Sequence, residues 1–250
     1  NKFIPLWTYS QSTSWQSLND HEKESLEECF AAVNTKNEKL WKKQADEIFT
    51  ALTGSVKMIP CGEDLGVSIE CVPAVMKKHD ILGLRVVRWC RNWSEGGQPY
   101  IPFDKYTPLS VTTTSVHDSS TIRQWWNDEK QSVEAFVQAN PEAFGITNSE
   151  DSSILDLGVS TISSGEFTPT IAEAIMTVSS TSASKWHISP LQDYLYINEK
   201  YWLEDAAMER INIPGTVTKF NWTYRLPASL EELSSDNDLI KKINKISKRK

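Results

Sequence analysis

The stretch Cys61-Gly62-Glu63-Asp64-Leu65-Gly66 decides how the chain is read. A short apolar segment, Val56-Lys57-Met58-Ile59, precedes it, and a helix with Pro73 in its first turns follows. The spacing therefore predicts a strand, a turn and a helix, with two carboxylates in the turn. In parallel α/β folds this end of a strand is where loops converge and reactive groups collect, because the strands aim their last side chains into the crevice or barrel mouth. Glu63 is thus the first candidate for chemistry. The competing reading is structural: acids ahead of a helix complement its dipole and accept bonds from free N–H groups.

Downstream the pattern recurs. Leu84–Trp89 reads as a strand after a turn at Leu82-Gly83, and Ser68–His79 as the helix before it. The β-branched run Leu109–Thr114 is a third strand that ends at Ser115-Val116-His117-Asp118-Ser119-Ser120-Thr121. Here a second acid, Asp118, falls in a turn, with Ser119 or Ser120 placed to cap a helix running through Ile122, Trp125, Trp126, Val133 and Phe136. Thr168-Pro169 opens a helix to about Val178, cap followed by proline. Lys185–Ser189 is the fourth strand and leads into Pro190-Leu191-Gln192-Asp193-Tyr194-Leu195. Four strands alternating with helices predict a right-handed parallel α/β arrangement. A closed barrel takes eight strands, so the expected fold is the C-terminal half of a (β/α)8 TIM-type barrel with inserted helices and loops.

The expected boundaries are a lead-in and long helical insertion over 1–55, the half-barrel over 56–230, and a basic tail over 231–250. Within the first, Asn1 to about Ser17 reads as an irregular packed lead-in. Asn19 is a plausible N-cap with Glu22 three residues on, and Leu26, Phe30, Val33, Leu40, Ala45, Ile48, Phe49 and Leu52 follow one helix face. A break near Asn34–Asn37 is expected to divide that helix, and Gly54 to stop it. Residues 92–108 form a long loop of the kind that carries function, with Trp93, Tyr100 and Phe103 either touching a ligand or stapling the loop down. The serine-rich stretch 140–165 is expected to be an irregular excursion apart from a short apolar run near Ile154–Ile162, and 212–225 a structured loop. The tail, with Lys241, Lys242, Lys245, Lys248, Arg249 and Lys250, has the pattern of a basic amphipathic helix and is read as a solvated terminal helix.

Bulk properties narrow the function. The 250 residues can bury a sizeable core, and a net charge of −7 argues against nucleic acid or an anionic membrane as the main partner. No run of apolar residues is long enough to span a bilayer. Cys29, Cys61, Cys71 and Cys90 show no CxxC pairing and no metal-like grouping with His21, His79, His117 or His187. Reduced thiols in a cytoplasm are the expectation, with no metal and no cofactor. Ten tryptophans offer rigid aromatic faces that pack well on sugar C–H faces, although most are expected in the core.

Taken in order, Cys61-Gly62-Glu63-Asp64-Leu65-Gly66, Gly83-Leu84-Arg85, His117-Asp118 with Thr121 and Trp125-Trp126, Pro190-Leu191-Gln192-Asp193, and Asn212-x-Pro214-Gly215-Thr216 resemble the 4-α-glucanotransferases. This family includes amylomaltase and disproportionating enzyme. The likeness runs from about residue 40 to about residue 230, and the lead-in looks most like the plant cytosolic branch. It implies a barrel of the α-amylase clan that transfers an α-1,4-glucan segment with retention, which needs two carboxylates about 5–5.5 Å apart. By this resemblance Glu63 is the acid/base and Asp118 a transition-state-stabilising acid. His117 and Asn212 contact sugar, and Asp64, Trp126 and Trp93 complete the expected substrate-binding set. The implied partners are α-1,4-glucans: maltose, maltooligosaccharides, glycogen or starch. The family's nucleophile sits in an Arg-x-Asp-His stretch that the 250 residues do not contain. The chain is therefore expected to be a C-terminal fragment, inactive alone and dimerising to cover open strand edges. The rival expectations are an α-glucan hydrolase of the same clan, and an inert half-barrel that binds glucan weakly.

Overall fold

The structure, a computed structural model, describes residues 5–6, 8–65, 69–146 and 152–248. Gly66 of the opening motif and Ser68, the expected start of the next helix, lie outside the described residues. The chain divides into two compact units, one of residues 1–60 with 64–81, the other of residues 61–63 with 82–250.

The first unit is helical. A one-turn helix α1 (Thr13–Gln16) is followed by α2 (Asp20–Ser55), which starts as the sequence predicts. The Asn19 side chain accepts from the Glu22 N–H at 2.9 Å while the Glu22 carboxylate accepts from the Asn19 N–H at 2.9 Å, so two otherwise free donors are satisfied reciprocally. The expected break at Asn34–Asn37 is absent. All 36 residues form one helix, because the polar residues there cost only a few tenths of a kcal/mol each in an exposed turn. Its apolar positions Val33, Leu40, Ile48 and Leu52 stay exposed. What α2 holds is α3 (Val72–Lys78), gripped at both ends. Glu38 accepts from the N–H groups of Glu70 and Cys71 at 3.2 and 3.0 Å, where the helix dipole favours a negative charge. At the other end Asp46 lies 2.9 Å from both Lys78 Nζ and His79 Nε2. Hydrogen bonds from the His79 ring, the larger cause, and from Lys78 hold the Asp46 carboxyl below its ordinary value.

The second unit is built on a four-stranded, wholly parallel sheet in the order β1 (Cys61–Gly62), β2 (Leu82–Val86), β3 (Ser110–Thr113), β4 (Trp186–His187). In register, Gly62 faces Gly83, Leu84 faces Val111 and Thr112 faces His187. Two expectations are corrected here. The first strand is Cys61–Gly62, not Val56–Ile59, and Leu82-Gly83 belong to a strand, not to a turn. Both changes leave the four-strand order intact and put Glu63 directly after β1. The outer strands β1 and β4 pair on one side only among the described residues, which is the feature behind the expected dimerisation.

Helices cover this sheet. After β3 come α4 (Ile122–Asp128) and α5 (Lys130–Ala139), then α6 (Ser152–Ser164) and α7 (Pro169–Ser180). The cap of α4 is Thr121, not Ser119 or Ser120, and the single helix expected there is two. Much of the stretch expected to be irregular is α6, which packs against α5. At Gly158 of α6 an added Cβ would meet the Ile146 side chain at 3.0 Å, so the small residue is what lets Ile146 lie close against this helix. Ile122, Trp125, Val133, Phe136 and Ile175 fill the core between these helices. The chain ends with α8 (Leu191–Leu195), α9 (Leu230–Ser235) and α10 (Asn237–Ser247). The last is docked instead of solvated: Leu239 and Ile246 are buried, the latter against Met176 of α7.

Candidate active site

All four strands run the same way, so their C-terminal ends lie along one edge of the sheet. Glu63 follows β1 at that edge and is exposed. β3 delivers a turn there too, and the turn is stapled by one side chain: the Ser119 hydroxyl accepts from the Val116 N–H at 3.1 Å and lies 3.0 Å from the Val116 carbonyl. Beneath it, buried Arg88 donates to the Ser120 hydroxyl and carbonyl at 2.5 and 2.7 Å. Burial pushes this guanidinium down to about 10, and Glu129 and Asp193 oppose the shift.

On this scaffold His117 and Asp118 stand exposed, with His117 Nε2 3.5 Å from Asp118 Oδ1. The Asn212 amide donates to Asp118 Oδ1 at 2.6 Å, and the Asn212 N–H donates to the His117 carbonyl at 3.2 Å. A charge-assisted bond of this kind fixes the carboxylate's orientation while leaving it in solvent. Trp222 adds a fourth member, its ring 5.1 Å from the His117 ring and tilted by 39°. The loop carrying Asn212 and Trp222 is held by Asn221, whose side chain accepts from the Ile213 N–H at 3.2 Å and donates to the Thr216 carbonyl at 3.1 Å. Gly215 turns it with φ +75°.

Beside this cluster a cavity of about 580 Å³ is lined by Ser115, His117, Thr121, Gln192, Tyr224 and Arg225, among others. Behind two of its lining residues, Ser115 and Gln192, lies a buried polar floor. Gln192 donates to the Glu209 carbonyl at 2.7 Å, and the Glu209 carboxylate accepts from Arg123 at 3.0 Å, Tyr196 at 2.8 Å and the Leu203 N–H at 2.8 Å. Asp193, fully buried, accepts from the Thr114 and Ser115 hydroxyls at 2.6 Å each. Burial raises both carboxyls above their ordinary values, against the hydrogen bonds that lower them, and takes the Tyr224 phenol up to about 12.

The structure thus joins His117, Asp118 and Asn212 by direct contact. Among the described residues no hydrogen bond or ring contact ties Glu63 or Trp93 to them. Trp93 is exposed, its indole N–H 3.3 Å from the Trp89 carbonyl, while its loop neighbours Tyr100 and Phe103 are core. Asp64 is half-buried and belongs to the first unit. Trp126 is a correction. It is wholly buried among Phe144 and Phe167 and donates to the Gly165 carbonyl at 3.1 Å, so it packs the core and offers no face to a sugar. The sequence reading missed Trp222 as a site residue, although an aromatic two residues from Tyr224 in an aperiodic, glycine-bearing segment was a usable signal. Among the described residues no cluster of three or more His, Cys, Asp or Glu could hold a metal. An exposed, oriented carboxylate beside an imidazole, an amide and an indole is chemically suited to a neutral polyhydroxylated ligand.

The sequence pattern of glycoside hydrolase family 77, described as 4-alpha-glucanotransferase, matches residues 3–231. The chain belongs to the 4-alpha-glucanotransferase family. Curated members similar to it include a 4-alpha-glucanotransferase of Chlamydia pneumoniae, 36% identical over 93% of this chain and 37% of its own length. One of Chlamydia trachomatis is 37% identical over 78% of this chain and 33% of its own. The rice 4-alpha-glucanotransferase DPE2 is 30% identical over 95% of this chain and 23% of its own. The chain therefore spans about a third or less of the length of these relatives. Among solved structures, an amylomaltase of Streptococcus agalactiae in complex with acarbose covers 81% of this chain and 34% of its own, with a TM-score of 0.54 at 19% identity. An amylomaltase of Corynebacterium glutamicum covers 77% and 29%, with a TM-score of 0.51 at 20% identity. The fold is α/β and matches part of the amylomaltase barrel. No helix among the described residues is long and apolar enough to cross a membrane.

Proposed function

We propose that the protein of which these residues form part transfers α-1,4-glucan segments between glucans with retention of anomeric configuration, and that Glu63 and Asp118 carry two of its catalytic roles. What supports this most is that both acids follow parallel strands at the same edge of one sheet within a chain matched by the family over residues 3–231. In this reading Glu63 gives a proton to the glycosidic oxygen as the bond to the anomeric carbon breaks. A carboxylate nucleophile holds the sugar as a glycosyl ester. Glu63, now a base, then takes the proton of an acceptor 4-hydroxyl, which displaces the ester. The nucleophile is not in an Arg-x-Asp-His stretch of these 250 residues, so the complete protein is the entity that reacts.

Asp118, oriented by Asn212, hydrogen-bonds sugar hydroxyls and stabilises positive charge at the anomeric carbon, while His117 binds the same ring. Maltose, maltooligosaccharides, glycogen or starch are the substrates of this reading. A cytoplasmic setting accords with four cysteines that form no disulfide with one another. In the complete protein Glu63→Gln is expected to lower the formation of longer glucans from maltotriose by about 10²–10⁴-fold. Chromatography of the products measures it, and a variant that keeps most of its transfer activity refutes the assignment.

A further inference from the structure

Trp222 has the features of a ligand platform and lacks those of a packing residue. It is 61% exposed, so little burial repays its position. Its backbone has φ +67°, a conformation that non-glycine side chains adopt under strain. The strain is held in place: the Trp222 N–H donates to the Ile211 carbonyl at 2.8 Å, and the Asn221 side chain cross-braces the loop ahead of it. Strained, exposed residues kept in place by surrounding bonds mark functional positions. The direction in which this one is held matters, because its ring meets His117, which adjoins Asp118, which accepts from Asn212. A flat hydrocarbon face thus continues a row of hydrogen-bonding groups, the combination that suits a pyranose with an apolar C–H face and a rim of hydroxyls.

We propose that the Trp222 indole is a sugar-stacking platform that binds one glucose unit of an α-glucan next to the unit contacted by His117 and Asp118. This rests on the functional reading above and extends it to a residue with a binding role. Because stacking is made to bound sugar before and during reaction alike, its loss acts on affinity more than on turnover.

The test is steady-state kinetics of the complete protein with maltotriose, comparing Trp222→Ala and Trp222→Phe with the unsubstituted protein. Trp222→Ala is expected to raise KM about three- to tenfold with kcat changed less than about threefold, and Trp222→Phe to recover most of the loss. An unchanged KM in Trp222→Ala overturns the platform. So does a fall in kcat alone, which would make Trp222 a support that positions His117. Trp222→Phe keeps an aromatic ring and serves as the fold control; a Phe variant as weak as the Ala variant in a protein of unchanged melting temperature also counts against stacking. Glu63→Gln is assayed alongside. If it abolishes transfer while Trp222→Ala behaves as unsubstituted, the platform fails alone. If the unsubstituted protein transfers no glucan, the functional reading fails and the platform falls with it.

Discussion

Asp118 and Asp193 each lie a few residues beyond the C-terminal end of a neighbouring parallel strand, β3 and β4, yet the structure uses them in opposite ways. Asp118 stands in solvent, held by one amide and facing an imidazole. Asp193 is sealed under the sheet edge, accepting two hydroxyls on a single oxygen, with no partner for Oδ1 among the described residues. Their neighbours make the difference. The run Thr114-Ser115 turns its hydroxyls toward Asp193, whereas the turn that presents Asp118 is closed on itself by Ser119. Strand-end position brings an acid to this edge of the sheet, but burial decides between an acid left open to solvent and one that builds the floor. The floor, with Glu209 and Asp193, should then govern stability, and the rim, with Asp118 and His117, should govern turnover.

The largest expected effect tests the floor. Glu209→Ala strands the Arg123 guanidinium, whose side chain is 13% exposed, and removes the acceptor of Tyr196 and of the Leu203 N–H. Breaking a buried ion pair from one side costs about 3–5 kcal/mol. Urea unfolding of the complete protein measures it; a loss of less than about 1 kcal/mol would mean the floor is not where stability resides. Next in size is the rim. Asp118→Asn keeps an acceptor for Asn212 and removes the charge, so transfer from maltotriose should fall about 10²–10³-fold with melting unchanged to within about 0.5 kcal/mol. A variant that melts early while retaining turnover would reverse the contrast between the two regions.

How much of this was legible depended on how local the cause was. The Asn19–Glu22 cap, the Thr168-Pro169 start and the strand over Ser110–Thr113 are decided by adjacent residues, and they read directly. β1 did not, because two paired residues carry no periodicity and the apolar Val56–Ile59 beside them is the stronger pattern. Ser152–Ser164 reads as loop by composition, since serine favours turns. It is helical because tertiary packing, against α5 and with Val159 buried in the core, overrides that preference. At the candidate site, motifs singled out His117, Asp118 and Asn212, which the structure brings into contact, yet Trp126 packs in the core, because nothing in its immediate neighbours says that both adjacent tryptophans are buried. Trp222 depended on a backbone angle, and Glu209 on partners as far as 86 residues away in sequence.

The smallest expected effect is the most specific to the comparison, because it separates the two aspartates by pH. Burial raises the Asp193 carboxyl above its unfolded value of about 3.9. A group raised in this way stabilises the fold fully below the unfolded value, and that contribution is lost as pH rises through the folded one. Asparagine at 193 has nearly the same shape, still accepts from Thr114 and Ser115, and does not titrate. The stability of the parent relative to Asp193→Asn should therefore be greatest below about pH 4 and decline toward neutrality. Urea unfolding of both proteins at several pH values measures the difference. A difference that grows with pH would mean that the charged carboxylate is the form the fold prefers, and Asp193 would then resemble Asp118 in charge if not in exposure.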